Sequence, residues 1–228
     1  MTLNDTDRMF LEYLRCYRIA TLQLIMTVIC LISESAAKKL APRLSEYVAS
    51  EPLGTRSRYY RLTPAGAKLI GAPEELARPL GPQALIKTIG IIGFCSSGAA
   101  KRERYLRQEF LEDFPELGKE LLGRDFQTDF FLDHDGEQAR LGQIVVDHGG
   151  DFRKLISKCR MRLREYLDVE HIREIVSDGL FTFAIVVAEE EKAQAIRTAL
   201  KENPLRARVI VETSADLQKC PIQTGGGE

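Results

Sequence analysis

The run LFTFAIVVA at 180–188 limits more than any other stretch what this chain can become. It is apolar at every position but Thr182, so it reads as a strand buried inside a sheet. Its neighbours set the kind of sheet. From residue 126 the pattern runs strand, strand, helix, strand, helix, strand. TDFFLDH and ARLGQIVVDH flank DGEQ, whose Asp135-Gly136 is a hairpin turn signal. DFRKLISKCRMRLREYL follows as a helix, then the buried strand, the helix EEEKAQAIRTALKEN and a last strand ARVIVET. With a helix ahead of the run and a crossover within it, that order predicts a small α/β sheet.

The first seventy residues follow a different plan. Met9, Phe10, Tyr13 and Leu14 have helical spacing behind possible Asp or Thr caps, and Thr21 can cap the apolar TLQLIMTVI. In SESAAKKLAPRLSEYV, Ser33 or Ser35 can cap, and Ala37, Leu40, Leu44 and Tyr47 repeat at intervals of three and four. Pro42 fits that helix only in a first turn or at a kink. The period then changes. YVASEPLGTRSRYYRL predicts a strand ending near Ser50, a turn at Pro52, Leu53 and Gly54, and a strand from Ser57 to Leu62. Thr63 as cap, Pro64 at the first helical position and Gly71 as stop close the unit.

Three short helices, a two-stranded hairpin and a return helix make a winged helix-turn-helix. YYRLTPAGAKLI resembles the wing exit of bacterial winged-helix regulators of the antibiotic-resistance-regulator type, where a strand runs into L-T-x-x-G-x-x-L. KKLAPRLSEYV is similar to their recognition helix.

Charge agrees with that role. Residues 1–70 carry ten Lys/Arg against six Asp/Glu, while the remainder is acidic. A basic unit on an otherwise acidic chain suits a polyanionic partner, here double-stranded DNA. A helix about 10–12 Å wide fits a major groove of about 12 Å if its outer face carries donors. Ser35, Lys38, Lys39 and Arg43 are the candidates on that face, and Arg56, Ser57 and Arg58 the candidates at the hairpin tip. Arg61 lies near the hairpin base, short of DNA.

GAPEELARPLGPQ holds three prolines between residues 71 and 83 and reads as a linker. PQALIKTIGIIGFCSSG is apolar nearly all round, so it is expected to be buried between domains or, as a dimer helix, between subunits. AAKRERYLRQEFLEDFPEL then places Tyr105, Leu106, Phe110 and Leu111 on one helical face.

Taken together, residues 5–212 resemble the replication-relaxation family of plasmid and mobile-element proteins. That resemblance implies a winged-helix unit joined to a domain like the PD-(D/E)XK nucleases, with a role in plasmid DNA replication or relaxation. In the family pattern a proline-aspartate pair opens one strand and an acidic-x-aspartate triplet ends the next. Here Thr128-Asp129 and Val145-Val146-Asp147 stand in those places.

Cleavage of this type needs carboxylates converging on Mg²⁺ and a lysine two residues after the second acid, on the same side of the strand. With Asp147 as the acid, the lysine position is Gly149. With Asp147 in the lysine position, the acid position is Val145. Neither register is complete, so the second domain is expected to be non-catalytic, with no metal and no cofactor. The alternative is a nicking or relaxation accessory enzyme in which Asp129 and Asp147 hold Mg²⁺ and Lys154 supplies the lysine. On the following helix, Arg153, Lys154 and Lys158 are candidates for a second phosphate contact, helped by free amides of the His-Gly-Gly turn at the helix start. The histidines (His134, His148 and His171) match no zinc spacing and read as turn or strand-end residues.

The five cysteines are scattered, with no C-x-x-C pair, which predicts reduced thiols in a cytoplasmic protein. The apolar runs 19–32 and 83–95 are too short to span a bilayer. The expected protein is α+β: a winged helix-turn-helix over 1–71, linker and apolar helix over 72–100, a nuclease-like α/β domain over 101–216 and a disordered tail over 217–228. Its expected partners are double-stranded DNA, a second copy of itself and a replication or conjugation protein.

Overall fold

The structure is a computed structural model and describes residues 3–54, 57–96, 102–115, 127–134 and 138–218. The chain is α+β and divides into two compact units, Met1–Ala84 and Leu85–Glu228. The Asp135-Gly136 turn, Arg56 and the tail beyond 218 lie outside the described residues.

In the first unit, α1 (Asp5–Tyr17) starts at Asn4 rather than at an Asp or Thr. Asn4 Oδ1 accepts from the Asp7 amide at 2.9 Å, and Asp7 Oδ2 accepts from the Asn4 amide at 3.1 Å, which satisfies two end donors reciprocally. Thr21 caps α2 (Leu22–Leu24), which continues as a π-helical turn over Ile25–Ile29. Ser33 caps α3 (Glu34–Arg43), and Pro42 falls in its last turn, not its first. There the helix is already ending, and the Leu44 amide reaches back to the Leu40 carbonyl at 3.1 Å around the proline.

The sheet has three strands, in the order β1 (Ala20–Thr21), β3 (Ser57–Leu62), β2 (Val48–Leu53), all antiparallel. The sequence pattern shows only the last two. β1 is a two-residue segment made a strand by pairing Ala20 with Tyr60 and Thr21 with Tyr59. β2 runs past Ser50 through Pro52, which lies opposite Arg58. An edge strand tolerates a proline because one row of its amides has no ladder to serve.

Thr63 caps α4 (Pro64–Leu69), with Pro64 in the first turn, and Gly71 follows at φ 63°. A Cβ on Gly66 would stand 2.1 Å from the Tyr47 carbonyl oxygen. The glycine of the L-T-x-x-G stretch is therefore required by backbone against backbone. Phe10, Leu11, Leu14, Ile25, Leu40, Leu44 and Leu62 form the buried centre of this unit.

The second unit is a five-stranded sheet in the order β4 (Arg102–Leu106), β5 (Gln127–Asp133), β6 (Arg140–Val146), β7 (Phe181–Val187), β8 (Arg208–Thr213). The first two pairings are antiparallel and the last two parallel. Tyr105 and Leu106, expected on one helical face with Phe110 and Leu111, lie instead in β4, and the helix α6 (Arg107–Asp113) begins only after that strand. The crossover from β6 to β7 is made by α7 (Phe152–Leu167) and α8 (Glu170–Ser177), and that from β7 to β8 by α9 (Glu190–Glu202).

Leu141, Val145, Phe181, Phe183, Ile185 and Val187 face one side and pack with Ile156, Cys159, Leu163, Ile172 and Ile196 of these helices. The other side is covered by α5 (Pro82–Ser96). Its Gly90 lies against Val146, its Gly93 against Ser214, and its Phe94 meets Phe131 edge to face at 4.9 Å. The apolar circumference of α5 is thus accounted for within this unit, where a dimer or inter-domain helix was expected. Both faces of β7 are covered, which is why every residue of it is apolar or fully buried.

Arg102 ties the two edges together. Its Nη1 and Nη2 donate to the Glu212 carboxylate at 2.9 and 2.6 Å, and its guanidinium lies 4.0 Å over the Phe94 ring.

Candidate nucleic-acid interface

The buried stripe of α3 is Ala37, Leu40 and Ala41, which leaves Ser35, Lys38 and Lys39 on the exposed arc. Lys38 Nζ lies 2.6 Å from Glu34 Oε1 one turn earlier and holds that carboxyl below its usual range. Glu34 is thus a member of this surface that the sequence reading passed over. Its signal was present, since Glu four residues ahead of Lys is a helix-surface pair.

Arg43 is exposed, as expected, but it is also bonded to Asp7, whose side chain has 0% exposure. A buried carboxylate needs a cation far more than a solvated surface does. On the hairpin, Ser57 and Arg58 are exposed, and Arg58 is braced by Ser50, Nε to Oγ at 2.7 Å and Nη2 to the carbonyl at 2.9 Å. Arg61 is engaged at the base, donating to Glu51 Oε1 at 2.7 Å and to the Ala77 carbonyl at 2.6 Å. The turn before α3 carries Leu31 at φ 50°, a residue 76% exposed.

In the second unit the two acids of the expected metal pair do not converge. Asp129 is bound 2.7 Å from Lys87 of α5, on one face of the sheet. Asp147 follows the alternation of Val145 toward the opposite face. There its Oδ2 lies 2.6 Å from Lys192 Nζ of α9, and its Oδ1 accepts from the Gly149 amide at 3.0 Å. Each carboxylate is neutralised by its own lysine, and Lys154 is exposed on α7. Among the described residues no group of three or more His, Cys, Asp or Glu could hold a metal ion.

The expected phosphate site at the start of α7 is also corrected. Gly149 and Gly150 take φ near 90°, as a turn without side chains can, but the Gly149 amide serves Asp147 and the Arg153 amide serves Asp151 at 2.9 Å. Arg153 leans back over the helix start, 3.8 Å from Asp151 and 5.2 Å over the Phe152 ring. The cleft beside it, of about 450 Å³, is rimmed by Asp151, Glu189 and Glu191 and so repels phosphate.

Cations gather instead around the end of β6. His148, just past that strand, is held below its ordinary pKa by burial and then by Lys158, with Lys87 adding to the effect and Asp147 and Asp129 opposing it. Lys158 is itself held low by burial and then by Arg162, again with Lys87 acting in the same sense and Asp129 opposing. Sequence reasoning named Lys158 but missed Lys87, His148 and Arg162 as members of one neighbourhood. Lys87 carried a signal: it is the one charge between residues 82 and 96, and a lysine on an apolar helix must find a carboxylate or water.

His134 stands 3.6 Å from Glu103 and His171 is exposed. No helix among the described residues is long and apolar enough to cross a membrane. Compared with family models, curated proteins and solved structures, the chain matches none.

Proposed function

We propose that the protein binds double-stranded DNA through its first unit, used as a winged helix-turn-helix with α3 in the major groove and the β2–β3 hairpin as the wing. The reading rests on one observation. The outer arc of α3 offers Ser35, Lys38 and Lys39 to solvent while its reverse is locked into the core, and the neighbouring hairpin adds Ser57 and Arg58. A rigid helix with donors on its free face is what groove recognition requires.

From α5 to β8 the second unit runs helix, strand, helix, strand, strand, two helices, strand, helix, strand among its described residues. Helices cover both faces of the sheet, and we read it as a PD-(D/E)XK-like fold with added helices. With Asp129 and Asp147 held by separate lysines it acts without catalysis, in assembly or as an added contact to the DNA backbone. The role is control of transcription or replication on a plasmid or other mobile element.

A gel-shift series with random-sequence duplex, run with Mg²⁺ and with EDTA, tests this. Retention without cleavage in both, lost in Lys38→Glu/Lys39→Glu, is expected. Mg²⁺-dependent nicking that disappears in Asp147→Ala would replace it with the enzyme reading.

A further inference from the structure

We propose that the second unit carries a nucleic-acid backbone site of its own, formed by Lys154, Lys158 and Arg162 along α7 with Lys87 and His148 beside them. It gives a place to the backbone contact of the preceding reading but does not depend on α3 or the hairpin.

The argument starts from which charges are already spent. Lys87 is held by Asp129 and Lys192 by Asp147, whereas Lys158 and Arg162 form no ion pair among the described residues. Arg162 and Lys87 both lie close enough to Lys158 to repel it, opposed chiefly by Asp129. An incoming phosphate removes that repulsion, so the free protein is arranged to gain from an anion there. His148 lies in the same field as a half-buried neutral ring able to donate to a phosphate oxygen.

Spacing decides between a single phosphate and a chain. Lys154, Lys158 and Arg162 sit at successive turns of α7, so the row runs about 12 Å along the helix axis. Cations spread in a line do not close around one small anion, but they track a linear polyanion. The row is also away from the acidic cleft at Asp151, Glu189 and Glu191, and Lys154 and Lys158 are exposed.

The test follows the His148 imidazole by NMR in the full chain, assigned with His148→Gln, while a twelve-residue oligothymidylate or inorganic phosphate is added in excess. The oligonucleotide should raise the His148 pKa toward its ordinary value, and Lys158→Gln/Arg162→Gln should abolish that rise while the His134 and His171 signals stay native. The rise should persist in Lys38→Glu/Lys39→Glu, so failure of the first-unit interface leaves this result intact. No response to the oligonucleotide overturns the site. A response to inorganic phosphate alone overturns its assignment to a chain. A rise that survives Lys158→Gln/Arg162→Gln overturns the residues named.

Discussion

Arg43 at the end of α3 holds Asp7 in the first turn of α1, a carboxylate closed off from solvent and already bonded to the Asn4 amide. The contact fixes α3 against the helix that begins the unit. Removing one partner of a buried pair costs about 3–5 kcal/mol, and the half-exposed guanidinium places this pair at or below the low end. Arg43→Ala should therefore destabilise the first unit by about 2–3 kcal/mol in urea denaturation, with part recovered in Asp7→Asn/Arg43→Ala. A variant of normal stability that fails to bind DNA would return Arg43 to the groove face.

Leu31 occupies backbone space that suits glycine, at φ 50°, with little of its side chain buried. The left-handed conformation costs an L-residue about 1–2 kcal/mol, and glycine's greater freedom when unfolded gives back about 0.5–1 kcal/mol of that. Leu31→Gly should raise stability by about 0.5 kcal/mol, whereas Leu31→Val, branched at Cβ, should lower it by about 1 kcal/mol. Denaturation midpoints moving the same way for both would refute the assignment.

Lys192 and Asp147 should behave as one unit. Lys192→Met leaves a carboxylate only 4% exposed with the Gly149 amide as its remaining partner, at a cost of about 3 kcal/mol. Asp147→Asn/Lys192→Met should recover most of that loss. A double variant no more stable than the single one would mean the pair is not coupled.

His148 sets a pH dependence. Burial and then Lys158 hold its folded pKa below the ordinary value, so the unfolded chain takes up the proton first. The stability this contributes is whole above about pH 6.5, the unfolded value, and is lost as pH falls from there toward the lower folded value. Between about pH 7 and 5.5, wild type should lose stability more steeply than His148→Gln. Parallel curves would show that His148 is not linked to folding.

Local chemistry made much of the first unit readable in advance. Thr21, Ser33 and Thr63 each cap a helix through bonds to amides three residues on, and Pro64 and Gly71 act within one turn. What escaped was non-local. Ala20–Thr21 is a strand only because Tyr59 and Tyr60 lie beside it. Pro52 marks a turn by local rule but stays in β2 because that strand is an edge. Arg43 shows surface spacing on its own helix, and only its approach to Asp7, 36 residues earlier, turns it to a structural task. The same holds for the second unit. The four strands from residue 127 onward followed from the apolar pattern, but Arg102–Leu106, which has helical spacing, is a strand only by pairing with β5. Nothing near Asp147 in the chain announces Lys192, and the alternation that sends Asp129 and Asp147 to opposite faces emerges only when β5 and β6 are paired.

The central claim, that α3 and the hairpin dock on duplex DNA, is tested most directly by the salt dependence of affinity for a random-sequence duplex. An interface neutralising about five phosphates predicts log K falling against log salt with a slope near −4 to −5. The slope should shrink by about two in Lys38→Glu/Lys39→Glu, with the protein still folded. A wild-type affinity indifferent to salt, or a slope unchanged by that double substitution, would contradict the account.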